Sequence, residues 1–196
     1  MAKRIFDIFW SFWGLVFLFP LMLVVAVAVK LTSRGPVLYS GVRVGKDEKL
    51  FKCHKFRTMR LNSDSVSITV GDRDPRVTEV GLIIRKLKID ELPQLWNVLL
   101  GEMTFVGPRP DTPKYVEYYK KEFRDYYKFK PGITSPSSIY FADESELYVG
   151  KDDPEKIYIE ETIPKKVELD MKYFENVSVI NVFKYIFITL FRIIKR

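Results

Sequence analysis

Two adjacent carboxylates, Asp90 and Glu91, are the residues of this chain whose types and spacing best suit chemistry. They open the run 90–100, and the turn Pro108-Arg109-Pro110 follows shortly after its end. Neighbouring residues of a helix point about 100° apart, so these carboxylates cannot face each other across a sugar as those of a glycosidase do. They can act together on a phosphate, where one attacks phosphorus and the other holds a metal ion.

Four basic residues are candidates for binding the oxygens of such a phosphate: Lys55, Arg57, Arg85 and Arg109. Any one of them, taken alone, is more often a solvated surface charge than a ligand contact. The metal would be a hard ion such as Mg²⁺, because one Cys and one His cannot build a Cys/His zinc site. The single Cys also excludes an internal disulfide.

A purely structural role for Asp90 is the main alternative. The pattern predicts a helix that begins at Asp90, with Pro93 in its first turn and Gly101 as its C-terminal stop. An Asp near the start of a helix commonly caps it. The buried face of this helix is predicted from residues at helical spacing, namely Leu92, Leu95, Trp96 and Leu99.

The N-terminal region is suited to a lipid bilayer. Phe12–Val29 is apolar apart from the interruptions at Gly14 and Pro20. As a helix it would be about 27 Å long, marginal for a hydrocarbon core of about 30 Å. Because Pro20 removes a backbone hydrogen bond, we expect a break there, with the helix entering and leaving the same leaflet. Basic residues flank both ends rather than one: Lys3, Arg4, Lys30 and Arg34. A single spanning helix kinked at Pro20 is the alternative.

The chain as a whole is predicted to be α+β, with three parts. Residues 1–34 form the re-entrant membrane segment (helix-break-helix), and 35–176 form a small cytosolic catalytic domain, mainly helical with a short β-hairpin. Residues 177–196 form an amphipathic helix in the membrane interface, with a core-packed helix as the alternative. Within the domain we expect hairpin strands, a polar loop and a short helix: Val37–Tyr39 with Leu50–Cys53, Asn62–Arg76, and Val80–Leu87.

The basic charge lies close to the predicted membrane segment. Residues 1–60 contain eleven Lys and Arg against three acids, a net +8, whereas the whole chain has a net +7. This distribution is expected for contact with anionic lipids and anionic ligands. Nucleic acid is excluded as a partner, because the basic residues do not follow a recognition element and 143–170 is acidic.

Several short motifs occur in a recognisable order: Arg43-Val44-Gly45, Lys55-Phe56-Arg57-Thr58-Met59, Asp74-Pro75-Arg76-Val77-Thr78, 90–100, 106–110 and Lys130-Pro131-Gly132-Ile133-Thr134. Together they resemble the bacterial sugar transferases, specifically the small monotopic phosphoglycosyl transferases. The resemblance implies transfer of a sugar phosphate from a UDP-sugar to undecaprenyl phosphate, with UMP as the leaving group. It also implies an enzyme at the cytoplasmic face of the bacterial inner membrane.

The resemblance also implies individual roles. Asp90 would be the nucleophile that forms a phosphosugar-aspartyl intermediate, Glu91 would help to bind Mg²⁺, and Pro20 would break the membrane helix. The chain departs from the family pattern over 135–153, where an acidic insertion is expected to shape the sugar or nucleotide pocket. Two alternatives remain: a glycosyltransferase that releases UDP, and a non-catalytic membrane scaffold. The sugar and the oligomeric state, a homodimer included, are left open.

Overall fold

The structure is a computed structural model that describes residues 2–61, 70–71 and 74–195. Most of the predicted polar loop, 62–69 and 72–73, lies outside the described residues. The α+β class is confirmed. The strands are β1 (Leu38–Val44), β2 (Leu50–Phe56), β3 (Thr104–Val106) and β4 (Gly132–Thr134). The helices are α1 (Ala2–Thr32), α2 (Glu79–Lys86), α3 (Gln94–Leu100), α4 (Val116–Glu122), α5 (Pro136–Tyr140), α6 (Pro154–Ile157), α7 (Ile163–Phe174) and α8 (Val179–Ile194).

The predicted hairpin is present and is longer than expected. Strands β1 and β2 pair antiparallel from Leu38 opposite Phe56 to Val44 opposite Leu50. Alternation along β2 buries Phe51 and Cys53, and Phe56 is buried at the end of the strand. A second pair of strands, β3 and β4, runs parallel and was not predicted from the sequence. Three-residue strands are too short to show a period in the sequence, so only their contact identifies them.

The predicted break at Pro20 is not present, because helix α1 continues without interruption from Ala2 to Thr32 with Pro20 inside it. A proline removes its own N–H bond and crowds one preceding carbonyl, so a helix can bend at a proline and continue. Among the described residues, α1 is the one helix long and apolar enough to cross a membrane. The re-entrant path through a bilayer stays a prediction.

Both ends of α1 are bonded to the rest of the protein. At its start, Arg4 donates to the carbonyls of Val98 (2.6 Å) and Leu99 (2.8 Å). The nearby Asp7 is buried and accepts a hydrogen bond from Thr104 at 2.8 Å. Just after its end, Arg57 donates to the carbonyls of Arg34 and Ser33 and to the Ser33 hydroxyl. Helix α1 therefore lies along the domain, with both ends against the same body.

A tyrosine-rich core supports the turn that contains Arg109. The carboxylate of Asp111 accepts hydrogen bonds from Tyr119 (2.6 Å) and Tyr158 (2.7 Å). Both rings are buried in a cluster that packs helix α7 against the segment 111–127. Burial raises the pKa of both tyrosines well above the usual range, and the Asp111 charge adds to it. The phenols stay protonated and act as hydrogen-bond donors.

The C-terminal segment forms helix α8, as predicted. Ser178 caps its start by accepting a hydrogen bond from the Asn181 backbone N–H. Val182 is buried, whereas several large apolar side chains of the helix are exposed: Ile180, Phe183, Phe187, Ile188, Leu190, Phe191 and Ile194. A helix with a wide exposed apolar face suits the surface of a membrane. Its position in the interface remains a prediction.

Candidate active site

The two carboxylates lie in a tight turn directly before helix α3. Lys88 has a left-handed backbone (φ 55°, ψ 18°), and Ile89–Glu91 form one 3₁₀ turn after it. Helix α3 begins at Gln94 rather than at the predicted Asp90, and Pro93 lies directly before it. Gly101 ends α3 with φ 88°, as predicted.

The buried face of α3 differs from the predicted one. Gln94, Leu95, Asn97 and Val98 are buried, whereas Trp96 is 49% exposed. Asn97 faces inward because its side chain makes two hydrogen bonds to the backbone of β2: it accepts from the His54 N–H and donates to the Lys52 carbonyl. A polar side chain with such partners replaces an apolar one in the buried stripe, and composition alone does not reveal this.

Asp90 does not cap a helix. The residue before α3 is Pro93, and no side chain caps that helix. Asp90 is 7% exposed, and its buried Oδ1 has no hydrogen-bond partner within the described part of the chain. Burial raises the pKa of Asp90 and the charge of Glu91 raises it further, while nearby Lys and Arg charges oppose both. Asp90 is therefore not the helix cap that the structural alternative requires, and no hydrogen bond within the described residues engages its Oδ1.

Glu91 is held as a charged group. Its Oε1 lies 2.7 Å from the Lys55 ammonium and 3.4 Å from the Arg109 guanidinium. Burial alone would raise the pKa of Glu91, but the charges of Lys55, Arg109 and Lys88 hold that pKa well below its usual range. The same pairing raises the pKa of Arg109. Glu91 is therefore ionised at any working pH.

Three of the four predicted phosphate-binding residues surround the carboxylates. Lys55, Arg85 and Arg109 line one cavity together with Asp90. Arg85 is largely buried, which lowers its pKa, and the Asp90 charge opposes this shift. The fourth assignment, Arg57, is corrected: its guanidinium is committed to the residues that follow α1 and lines none of the cavities at the site.

Two further basic residues lie at the site and were not predicted from the sequence. Lys88 lines the cavity beside Asp90. Lys166, on helix α7, is buried and bonds to Glu144 at 2.8 Å, with its ammonium 4.7 Å from the centre of the Tyr158 ring. Glu144 belongs to the acidic insertion, which therefore does line the site. Lys166 lies far along the chain from the motifs, and only its burial distinguishes it from a surface lysine.

Three cavities meet at Glu91 and Arg109. The large polar cavity, about 660 Å³, contains Asp90 and is rimmed by basic side chains. The small polar cavity, about 220 Å³, lies beneath the tyrosines of the core. The apolar groove, about 460 Å³, runs between α1, α3 and α8. A polar molecule bound beside Asp90 and an apolar chain in the groove would therefore meet at these carboxylates.

The donor set at the site fits Mg²⁺ bound with help from a substrate. No group of three metal-ligating side chains occurs among the described residues, so these residues alone offer no closed metal site. Asp90 and Glu91 supply two carboxylates, and a buried oxygen of Asp90 has no partner within the described ranges. Mg²⁺ is often bound by one or two carboxylates together with substrate phosphates.

Comparison with known proteins identifies the class to which this fold and site belong. The chain matches the family described as bacterial sugar transferase over residues 1–196, and it belongs to that family. The predicted resemblance is confirmed.

Individual relatives refine this picture. The chain is 39% identical over 195 residues to the UDP-glucose:undecaprenyl-phosphate glucose-1-phosphate transferase of Klebsiella pneumoniae (97% of this chain, 39% of that protein). It is 38% identical over 183 residues to the UDP-N-acetylgalactosamine-undecaprenyl-phosphate N-acetylgalactosaminephosphotransferase of Aeromonas hydrophila (90% of this chain, 40% of that protein). It is also 40% identical over 150 residues to the exopolysaccharide production protein ExoY of Rhizobium meliloti (68% and 66%). The chain spans about two fifths of the length of the first two relatives.

Proposed function

We propose that this protein transfers a sugar-1-phosphate from a UDP-sugar to undecaprenyl phosphate and releases UMP. A carboxylate oxygen of Asp90 attacks the phosphorus that bears the sugar, and the bond to UMP breaks as UMP leaves with the electron pair. A phosphate oxygen of the acceptor then attacks the same phosphorus. The bond to Asp90 breaks, the carboxylate is regenerated, and the product is a polyprenyl diphosphate sugar.

The observation that supports this proposal most directly is the placement of Asp90. Its carboxylate lies in a polar cavity, and the buried Oδ1 has no hydrogen-bond partner among the described residues, which is unfavourable for the protein alone. The cavity meets an apolar groove of about 460 Å³ at Glu91 and Arg109. Such a junction suits a reaction between a polar donor and an acceptor with a long hydrocarbon chain.

The basic residues suit a donor with two phosphates. The diphosphate of a UDP-sugar has two negative charges, and Asp90 and Glu91 add two more. Lys55, Arg85 and Arg109 surround the carboxylates, and their three positive charges would offset most of this negative charge. Mg²⁺ held by Glu91 with the donor phosphates would neutralise charge on the leaving UMP. The paired state of Glu91 keeps it ionised, as a metal ligand must be.

We place the protein at the cytoplasmic face of the bacterial inner membrane. Both ends of α1 bond to the catalytic domain, which favours a helix that stays on one side of the bilayer. The exposed apolar side chains of α1 and α8 would contact the lipid. UDP-sugars are cytoplasmic substrates in this scheme, so the active site and its donor lie on the same side.

The test is nucleotide release by detergent-solubilised protein given Mg²⁺, undecaprenyl phosphate and a panel of UDP-sugars. We expect UMP with at least one donor, and that donor identifies the sugar. UDP as the product would mean that the sugar alone moves, and the aspartyl mechanism would be wrong. Absence of either nucleotide across a panel that includes glucose, N-acetylglucosamine, galactose and N-acetylgalactosamine donors would favour the scaffold.

A further inference from the structure

Lys88 lies where the apolar groove opens into the large polar cavity, and its side chain lines both. The two cavities share five residues: Lys88, Glu91, Arg109, Ser138 and Ala142. An acceptor whose hydrocarbon chain lies in the groove must present its phosphate at this junction. That phosphate has close to two negative charges at neutral pH, so a cation is required there.

The junction has two basic residues, and they differ in their ion-pair partners. Arg109 is ion-paired with Glu91 at 3.4 Å. The ammonium of Lys88 is half-buried and makes no hydrogen bond or ion pair among the described residues. Withdrawing an ammonium from water without a direct partner costs free energy unless a ligand of opposite charge binds to it.

The backbone at Lys88 points to the same conclusion. Its φ of 55° places it in the left-handed region, which is uncommon for residues other than glycine, asparagine and aspartate. Strained backbone of this kind persists where the surrounding structure requires it, often at ligand sites. Here the turn places the Lys88 side chain at the junction. Asp90, two residues later, lines the large polar cavity.

We propose that Lys88 binds the phosphate of the polyprenyl acceptor and positions it for attack. The proposal rests on the proposed function and adds the residue that receives the second substrate. Arg85 is the comparison. Its guanidinium also makes no hydrogen bond or ion pair within the described ranges, but of the cavities it lines only the large polar one. We assign Arg85 to the donor and Lys88 to the acceptor.

The experiment separates the two half-reactions. UMP released by enzyme without acceptor, up to one equivalent, reports the first step, and steady-state turnover against polyprenyl phosphate concentration reports the second. For Lys88→Gln we expect an unchanged UMP burst, a donor KM within about twofold of wild type, and an acceptor KM raised roughly tenfold, as for loss of one charge-assisted hydrogen bond. Lys88→Arg should restore most of the acceptor KM. Arg85→Gln should instead reduce the burst or raise the donor KM.

Controls keep the outcomes distinct. Gln has the same unbranched Cβ as Lys, so the left-handed backbone costs both residues alike, and a melting curve checks the fold. Lys184→Gln removes an exposed lysine of α8 outside the three cavities and should leave both KM values unchanged. The assay is run in neutral detergent micelles and in vesicles with anionic phospholipid. An effect of Lys88→Gln seen only in the vesicles would mean that Lys88 binds a phospholipid headgroup, and it would overturn the proposal.

Two other results also overturn it. An acceptor KM equal to wild type in Lys88→Gln removes the assigned role, and a reduced burst in that variant assigns Lys88 to the donor. Failure of the proposed function looks different, because the wild-type protein would then release no UMP.

Discussion

Asp90 and Glu91 are neighbours in sequence but have opposite environments. Glu91 has two cationic partners, whereas the buried Oδ1 of Asp90 has no partner among the described residues. A buried oxygen without a hydrogen bond costs about 1–3 kcal/mol, so stability alone does not favour it. The contrast suits two roles: a carboxylate whose Oδ1 has no competing described partner, for attack on phosphorus, and a second one kept ionised beside it.

The first prediction concerns Asp90→Asn. The amide keeps the shape of the side chain but is not a nucleophile, so we expect turnover to fall at least about a thousandfold. Stability should change by less than about 1 kcal/mol, because Oδ1 loses no hydrogen bond to any described residue. UMP release and thermal melting measure the two quantities. Asp152→Asn, at an exposed carboxylate, serves as the matched control, and near-normal turnover in Asp90→Asn would refute the nucleophile assignment.

The second prediction concerns Glu91→Gln. Loss of the charge should raise the Mg²⁺ concentration for half-maximal activity by about tenfold or more. It also leaves Lys55 and Arg109 without their anionic partner, so thermal stability should fall. A Mg²⁺ titration of the initial rate, with the exposed Glu175→Gln as control, measures the effect. An unchanged Mg²⁺ dependence would contradict the metal role of Glu91.

Short elements position these residues through backbone contacts rather than through length. Strands β3 and β4 pair parallel and have three residues each. Beside them, Gly107 and Gly132 bring the two backbone segments closer than a side chain would permit. Arg109 follows Gly107 by two residues, so this contact determines where its guanidinium lies. At the other side of the domain, Arg57 ties β2 to the end of α1.

The third prediction follows from the corrected role of Arg57. Arg57→Gln should lower the free energy of unfolding by about 3 kcal/mol, because a buried charged donor loses its contacts with two carbonyls and one hydroxyl. The donor KM should stay unchanged, because the side chain lies outside the cavities. Melting in detergent and donor kinetics check the two effects. A raised donor KM with normal melting would restore the phosphate-binding role.

The fourth prediction tests the contact between the two glycines. The Cβ of Gly132→Ala would overlap the backbone of Gly107, so β4 must shift away from β3. We expect a loss of about 2 kcal/mol or more in stability and a lower kcat, because Arg109 moves with the turn. Gly150→Ala is the comparison, since open space surrounds that position and only its positive φ opposes the change. Normal kcat in Gly132→Ala would show that Arg109 does not depend on this contact.

At the scale of the whole molecule, apolar surface and polar anchoring occur on the same helix. Large side chains of α1 such as Phe17, Phe19 and Leu31 are more than 60% exposed, which is unfavourable in water. A helix of this length spans about 46 Å, yet both of its ends bond to the same domain. A path that enters a leaflet from the side of the domain reconciles these two facts.

The fifth prediction tests that topology with cysteine labelling. Ala2→Cys and Thr32→Cys lie at the two ends of α1 and are exposed, while the single native Cys53 is buried. A membrane-impermeant maleimide should label neither variant in intact spheroplasts and both in inverted vesicles. Labelling of Ala2→Cys in spheroplasts would mean that α1 spans the bilayer.

The sequence by itself determined the pieces with strong local signals. The adjacent carboxylates, the stop at Gly101, helix α2, the hairpin and the apolar terminal helices follow from spacing, charge and turn residues, which act over a few positions. The family followed from several motifs in order.

Only the tertiary structure decided which charges meet. Lys88 and Lys166 resemble surface lysines in sequence, and Arg57 resembles a phosphate ligand until its bonds to Ser33 and Arg34 are seen. Trp96 fits a buried stripe by period, but Asn97 takes that face through its bonds to β2. Burial and partner choice depend on contacts between distant parts of the chain, and no local pattern encodes those contacts.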